Sequence, residues 1–433
     1  MTRLGCTGLS GDRHTPLSQR RSASRISCGL PTFGGMPRLT LTWIRSDLIA
    51  KYLAAILIAG LGAMALPPIA GAGTLARGKL PLTSFYETPT PLPFGNPGDL
   101  IRSEVFDGYD LPPGTTAMRF LYHSRAADSS DVAASAVVLL PDGDPPTGGW
   151  PVVAWAHPLN AVARECGPSL LVNLHRGAYL GMFLKLGYAI VATDYAGLGT
   201  SFRNAFLDMQ SNAADVVNSV RAAHHVVPNL AAKWVAIGER EGGLAVIAVA
   251  ETRDQSSAAG YLGGVVIAGL LDPKAIYEHS PDGTWQSDFA WLGYGVKTIY
   301  PAFSVSGLLT PKGLGHYQDV SRQCTSAAGK EANDGIVKSG WEQNSFVAKY
   351  LARNVTGNAP SHTPLLVIQG RSSDWESEMA TQIFKRMCGQ GDRIQVDTYP
   401  DLGPESLLGG SVAAQVAWLE GRFRGVQPAN DCH

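Results

Sequence analysis

The sequence predicts an α/β protein, with a mostly parallel central sheet, helices on both faces and an inserted cap. Three observations predict it. Short apolar runs rich in β-branched residues alternate with helical patterns after about residue 98, and such alternation implies a parallel sheet covered on both sides. The alternation stops over residues 270–355, where Trp285, Phe289, Trp291, Tyr294, Tyr300 and Phe303 lie on a path punctuated by Pro and Gly. An aromatic-rich insertion between two core strands reads as a cap over a site rather than a decorated loop. The composition also fits, because 433 residues with 45% hydrophobic and 16% charged side chains can bury a large core.

The elements follow in order. Met118 to His123 and Ala134 to Leu140 read as early, antiparallel strands. Pro151 to Ala156 (PVVAWA) reads as a buried strand, followed by a helix-like stretch to about Leu186. Tyr188 to Thr193 (YAIVAT) is the next strand, ending in Asp194-Tyr195, and Asn212 to His225 has a helical period. Trp234 to Gly238 is a strand, Gly243 to Glu251 a helix and Gly264 to Ala268 a strand. Beyond the cap come the strand Pro364 to Gln369, a helix near 376–388, the strand Arg393 to Tyr399 and a last helix over 411–423. Pro89 to Pro97 reads as a linker ahead of the core.

The N-terminus reads as something other than fold. Residues 1–35 are rich in Ser, Arg and Gly without an apolar period, which suggests disorder or a start placed too early. Met36 opens a second start. Arg38, Arg45 and Lys51 then precede an uncharged run from Tyr52 to Ala76, with Pro67-Pro68 and Ala70-Gly71-Ala72 inside it. Over 36–72 this is the pattern of a cleaved export signal, with an uncleaved anchor as the alternative. A secreted or envelope-associated protein is therefore expected, touching a membrane only through that segment. Cys166, Cys324, Cys388 and Cys432 follow the signal, so two disulfides are expected, with the pairing open among three connectivities. No CxxC or His/Cys cluster suggests a metal, and no cofactor is implied. A net charge of −1 without a basic stripe excludes nucleic-acid binding.

The sharpest local signal is Trp234 to Glu251 (WVAIGEREGGLAVIAVAE), a buried strand running straight into a helix. In α/β-hydrolases this turn is Gly-x-Ser-x-Gly, with the nucleophile at its apex. Here it is Gly238-Glu239-Arg240-Glu241-Gly242. Both glycines are present, as the crowded turn requires, but the apex residue is Arg240.

With these residues the chain resembles the secretory lipases, bacterial and fungal extracellular α/β-hydrolases that include triacylglycerol lipases. The resemblance covers most of residues 84–424, within an expected hydrolase domain of 84–433. It rests on Pro151 to His157 (PVVAWAH), Gly187 to Gly199 (GYAIVATDYAGLG), Trp234 onward, Pro364 to Gly370 (PLLVIQG) and Tyr399 to Gly403 (YPDLG). It implies a serine hydrolase whose elbow reads Gly-His-Ser-Gln-Gly-Gly. The acid would stand three residues beyond Gly370 and the base would be the His of a Gly-His pair after the last strand. A His-Gly run would form the oxyanion segment.

The departures from that pattern fall on the chemistry. The nucleophile position is Arg240, the acid position Ser373 with Asp374 beside it, and the base position Pro404 after Gly403. The oxyanion segment begins His157-Pro158. Acyl transfer needs a nucleophile whose proton a base can take. A guanidinium is no nucleophile, proline accepts no proton, and Pro158 has no N–H to offer an oxyanion. The only histidine beyond residue 362 is His433. Loss of the nucleophile alone costs on the order of six powers of ten in turnover in other serine hydrolases.

The expectation is a catalytically inactive protein of lipase type, whose old acyl pocket is either filled by a structural salt bridge or open to lipid, such as a fatty acid, or another anion. Arg240 would point into the old acyl pocket, where Asp374 or Glu405 could pair with it, while Glu239 and Glu241 should point elsewhere. The alternative is an active secreted triacylglycerol lipase or carboxylesterase with a relocated triad. No second Gly-x-Ser-x-Gly occurs; Ser201 lacks the second glycine, and Ser411 reads as the cap of the last helix.

Overall fold

The computed structural model describes residues 78–252, 258–279, 288–324 and 335–432. The segments 1–35 and 36–72 lie outside the described residues.

Among the described residues nine strands form one sheet in the order β1-β2-β3-β5-β4-β6-β7-β8-β9. The strands are β1 Leu100–Val105, β2 Thr116–Arg125, β3 Asp131–Leu140, β4 Trp150–Ala156, β5 Ala189–Thr193, β6 Leu230–Glu239, β7 Tyr261–Ile267, β8 Leu365–Gln369 and β9 Ile394–Thr398. β1, β2 and β3 pair antiparallel, and β3 pairs antiparallel with β5. From β5 to β9 every pairing is parallel. The chain leaves β4 toward β5 on one side and then returns to β6 on the other. That reversal opens a crevice at the carboxyl ends of β4 and β6, where ligands of open α/β sheets bind.

Strand alternation explains the two layers. Val152, Ala154 and Ala156 of β4 face one side, with Trp234 and Ala236 of β6, and pack on helices α2 Met209–Val226, α3 Glu241–Ala250 and α8 Asp374–Gly389. Val153 and Trp155, with Val235 and Ile237, face the other side and pack on α1 Gly177–Lys185, α9 Pro404–Gly410 and α10 Val412–Phe423. β4, and β5 up to its last residue Thr193, are apolar because both faces are covered.

Between β7 and β8 the chain builds a helical insertion: α4 Pro273–Glu278, α5 Asp288–Ile299, α6 Pro311–Val320 and α7 Ser345–Arg353. It has its own core of Phe289, Trp291, Leu292, Phe303, Leu308, Trp341 and Tyr350, which extends onto Val162 and Phe206 of the sheet's loops. Its helices begin at readable caps. The Thr310 hydroxyl accepts from Gly313 N–H with Pro311 in the first turn, and Asn344 accepts from Phe346 and Val347.

The disulfides pair Cys166 with Cys324 and Cys388 with Cys432. The first joins the segment after β4 to the insertion. The second holds the C-terminal residues beside β9, where Asp431 N–H donates to Ile394 O (2.7 Å) and Val396 N–H donates to the Asp431 carboxylate (2.7 Å). The tail thereby covers an otherwise open sheet edge.

Three expectations change. The stretch before Leu186 is helical only from Gly177, because Gly167-Pro168 breaks it into two 3-10 turns, Arg164–Cys166 and Pro168–Leu170. Leu100–Val105, not foreseen, is an edge strand. Ser411 precedes α10 but caps nothing; its hydroxyl donates to Leu407 O (2.7 Å) and accepts from Gln415 Nε2 (2.8 Å).

Candidate active site

β6 ends at Glu239 and α3 begins at Glu241, so Arg240 alone makes the turn. Its backbone sits at φ 52° and ψ −108°, a conformation costly for any side chain with a Cβ. The fold holds it there with Arg240 N–H donating to Ile267 O (2.9 Å) and its carbonyl accepting from Leu270 N–H (3.2 Å). Two glycines permit the turn. A Cβ on Gly238 would overlap the Gly242 carbonyl, and one on Gly242 would overlap the carbonyl of Ala156 at the end of β4. The strained, glycine-flanked turn that the sequence led one to expect is thus present, around a residue that is no nucleophile.

The flanking acids turn away from the apex, as expected. Glu239 is buried and takes both Nε (2.8 Å) and Nη2 (2.9 Å) of Arg176. Glu241, also buried, accepts from Leu207 N–H (2.8 Å) and Asn212 Nδ2 (3.0 Å). Burial raises the Glu241 carboxyl above its ordinary range, and these two donors pull the other way. Arg176 was not foreseen. The available signal was Glu239 itself, an acid at the end of a buried strand, which must find a cation.

Arg240 and Pro404 line one cavity of about 120 Å³, together with Leu270, Ile276, Arg371, Ser372, Glu376 and Leu407. The nucleophile and base positions of the resemblance are therefore brought together, beside the loop that carries the acid position. Ser373 precedes α8 and is engaged there, its N–H (2.8 Å) and hydroxyl (2.7 Å) both donating to Glu376. Asp374 is exposed in the first turn of α8, where a negative charge suits the helix N-terminus. Pro404 occupies the first turn of α9, where its missing N–H costs nothing. The Glu405 side chain is 87% exposed, and Arg176 Nη2 lies 4.0 Å from its carboxylate. Arg371 is a cavity residue that sequence reasoning passed over.

His157 follows β4 and is buried between two carbonyls, Pro158 O 2.7 Å from Nδ1 and Asp194 O 3.1 Å from Nε2. Its ring lies 4.2 Å from that of Tyr195. Burial pushes it down to about 4, against the opposing effect of the two carbonyls. A neutral imidazole donates to only one of them, so His157 is held as a structural ring. Ser201 is exposed, and Ser411 is tied to Leu407 and Gln415. Among the described residues, no metal-binding group of His, Cys, Asp and Glu occurs, and no helix is long and apolar enough to cross a membrane.

No family model and no curated protein matches the chain. Solved structures do. Lipase A of Candida antarctica in its closed state superposes with a TM-score of 0.66 at 16% identity, over 80% of this chain and 86% of that one. The rice cell wall degrading esterase LipA from Xanthomonas oryzae superposes with a TM-score of 0.61 at 15% identity, over 76% of this chain and 98% of that one. Sheet order and superposition agree, and the fold of this chain is the α/β-hydrolase fold.

Proposed function

We propose that this chain is a catalytically inactive α/β-hydrolase, exported from the cytosol, whose elbow cavity holds a small anion instead of cleaving an ester. The observation that carries the reading is Arg240 at the apex of an otherwise intact elbow. A guanidinium donates hydrogen bonds in a fork suited to a carboxylate and attacks nothing. Pro404 borders the same cavity without a proton acceptor, and among the described residues no histidine lines it. Arg371 adds a second cation to the wall, while Leu270, Ile276 and Leu407 give it an apolar side. A cavity of about 120 Å³ suits the head of a fatty acid or a short carboxylate, not a whole lipid. The two disulfides support a life in an oxidising compartment.

Calorimetric titration of the full chain with acetate and butyrate tests the binding part. Saturable binding that is lost in Arg240→Ala is expected. Binding that survives Arg240→Ala, or no binding of either anion, contradicts it.

A further inference from the structure

We propose that a second ligand site, separate from the elbow cavity, lies where the helical insertion meets the sheet, and that it takes an amphiphilic monocarboxylate with its head on Arg203. A cavity of about 460 Å³ opens there, within the roughly 300–1,000 Å³ typical of small-molecule sites. Among the described residues it shares no lining residue with the elbow cavity. Val132 of β3, Phe202 of the loop after β5, and Ile299, Tyr300 and Pro301 at the end of α5 give it an apolar wall.

The charges are unevenly balanced. Arg353 also borders the cavity, but its Nε lies 3.1 Å from a carboxylate oxygen of the fully buried Asp208, which neutralises it. Arg203 is held by neutral groups. Its guanidinium carbon lies 3.9 Å from the centroid of the Tyr294 ring, and Nη2 donates to the Tyr317 hydroxyl (3.3 Å). Nε points to the Thr298 hydroxyl at 3.4 Å. Among the described residues no carboxylate lies within salt-bridge distance of it. Arg203 is therefore a cation fixed in place beside a cavity that has one apolar wall and polar groups, among them Ser211, Asn212 and Thr298, on the others.

Two acids also border the cavity, and neither competes for Arg203. Asp128 takes the N–H (2.9 Å) and hydroxyl (2.6 Å) of Ser130 within its own turn. Asp215 is buried in the floor, accepting from the Ser124 hydroxyl and from Ala196 N–H. Burial pushes its carboxyl up to about 7, so below that pH the floor carries little charge. A charged head at the exposed rim with an apolar body inside matches this arrangement, whereas a cationic amphiphile would meet Arg203.

Calorimetric titration below the pH at which Asp215 ionises tests the site, with octanoate, 1-octanol and octylammonium as probes and the full chain carrying Arg240→Ala, which removes the apex cation of the elbow cavity. Octanoate is expected to saturate one site there and to bind about tenfold more tightly than octanol, with octylammonium weaker still. Adding Arg203→Gln should weaken octanoate about tenfold and leave octanol unchanged, with an unaltered thermal melt. Equal binding of octanoate and octanol, an unaffected Arg203→Gln, or no binding of octanoate overturns the proposal.

Discussion

Arg176 and Glu239 meet in a two-point ion pair directly before the elbow apex, Nε to one carboxylate oxygen at 2.8 Å and Nη2 to the other at 2.9 Å. The Glu239 side chain is 2% exposed and Arg176 24%, so the pair is partly shielded from water. It ties the start of α1 to the end of β6 and fixes the approach to the strained turn. Removing one member leaves the other's charge without its partner in a poorly solvated place.

Glu239→Ala is therefore expected to lower stability by about 3 kcal/mol, read from urea unfolding. Glu405→Gln, at the exposed outer side of Arg176, should change it by less than about 0.5 kcal/mol. Equal effects of the two would mean that the buried pair contributes no more than a surface contact.

The elbow glycines give a second expectation. Gly242→Ala would press a methyl group into the backbone carbonyl of Ala156, and Gly238→Ala into that of Gly242. Backbone cannot give way as a side chain does, so each should destabilise by several kcal/mol, about 3 or more. Gly389→Ala, on a glycine with nothing within 4 Å of an added Cβ, is the neutral comparison. Circular dichroism melts of the three variants check this.

The buried Asp215 makes stability depend on pH in a definite direction. Its carboxyl is raised to about 7 by burial, above the value of about 3.9 in an unfolded chain. The folded state thus holds a proton that the unfolded state releases. The contribution is fully present below the unfolded value and is lost as pH rises through about 7. Asp215→Asn stays neutral, with its amide oxygen accepting from Ala196 N–H and its amine donating to the Ser124 hydroxyl. The variant's stability relative to the parent should therefore rise across this window by up to a few kcal/mol, at about 1.4 kcal/mol per pKa unit. His157, depressed to about 4, changes in the opposite sense but is common to both proteins and cancels in the difference. Thermal melts at several pH values check it, and a constant difference would contradict it.

The Cys166–Cys324 bridge closes a sequence separation of 158 residues. Replacing both cysteines by serine should cost about 3–5 kcal/mol, as expected for a long loop released in the unfolded chain. Limited proteolysis should then cut the insertion first, because its covalent tie to the segment after β4 is gone. A variant that melts and resists protease like the parent would contradict this.

The parts of the fold that sequence revealed are those whose residues obey one demand. β4, β5 and β8 are buried on both faces, so their apolar runs mark them almost to the residue. β1 was not legible because Leu100–Val105 lies at the sheet edge, with Arg102 and Glu104 interrupting its apolar residues. The site divides in the same way. Gly238, Arg240 and Gly242 are adjacent in sequence and were readable as an elbow. The Arg176–Glu239 pair spans 63 residues and depends on how α1 enters the sheet. The disulfide pairing was equally undetermined, since it depends on where the insertion and the C-terminal tail come to rest.

The most direct test of the central claim is hydrolysis of p-nitrophenyl butyrate by the full chain, with labelling by a serine-directed fluorophosphonate. The parent, Arg240→Ala and Arg240→Ser should all show no turnover above buffer and take up no label, because Pro404 supplies no base even to a restored serine. Turnover by the parent that the fluorophosphonate abolishes, with the label on Ser201, Ser411 or another serine, would contradict the account and mark a working site elsewhere in the chain.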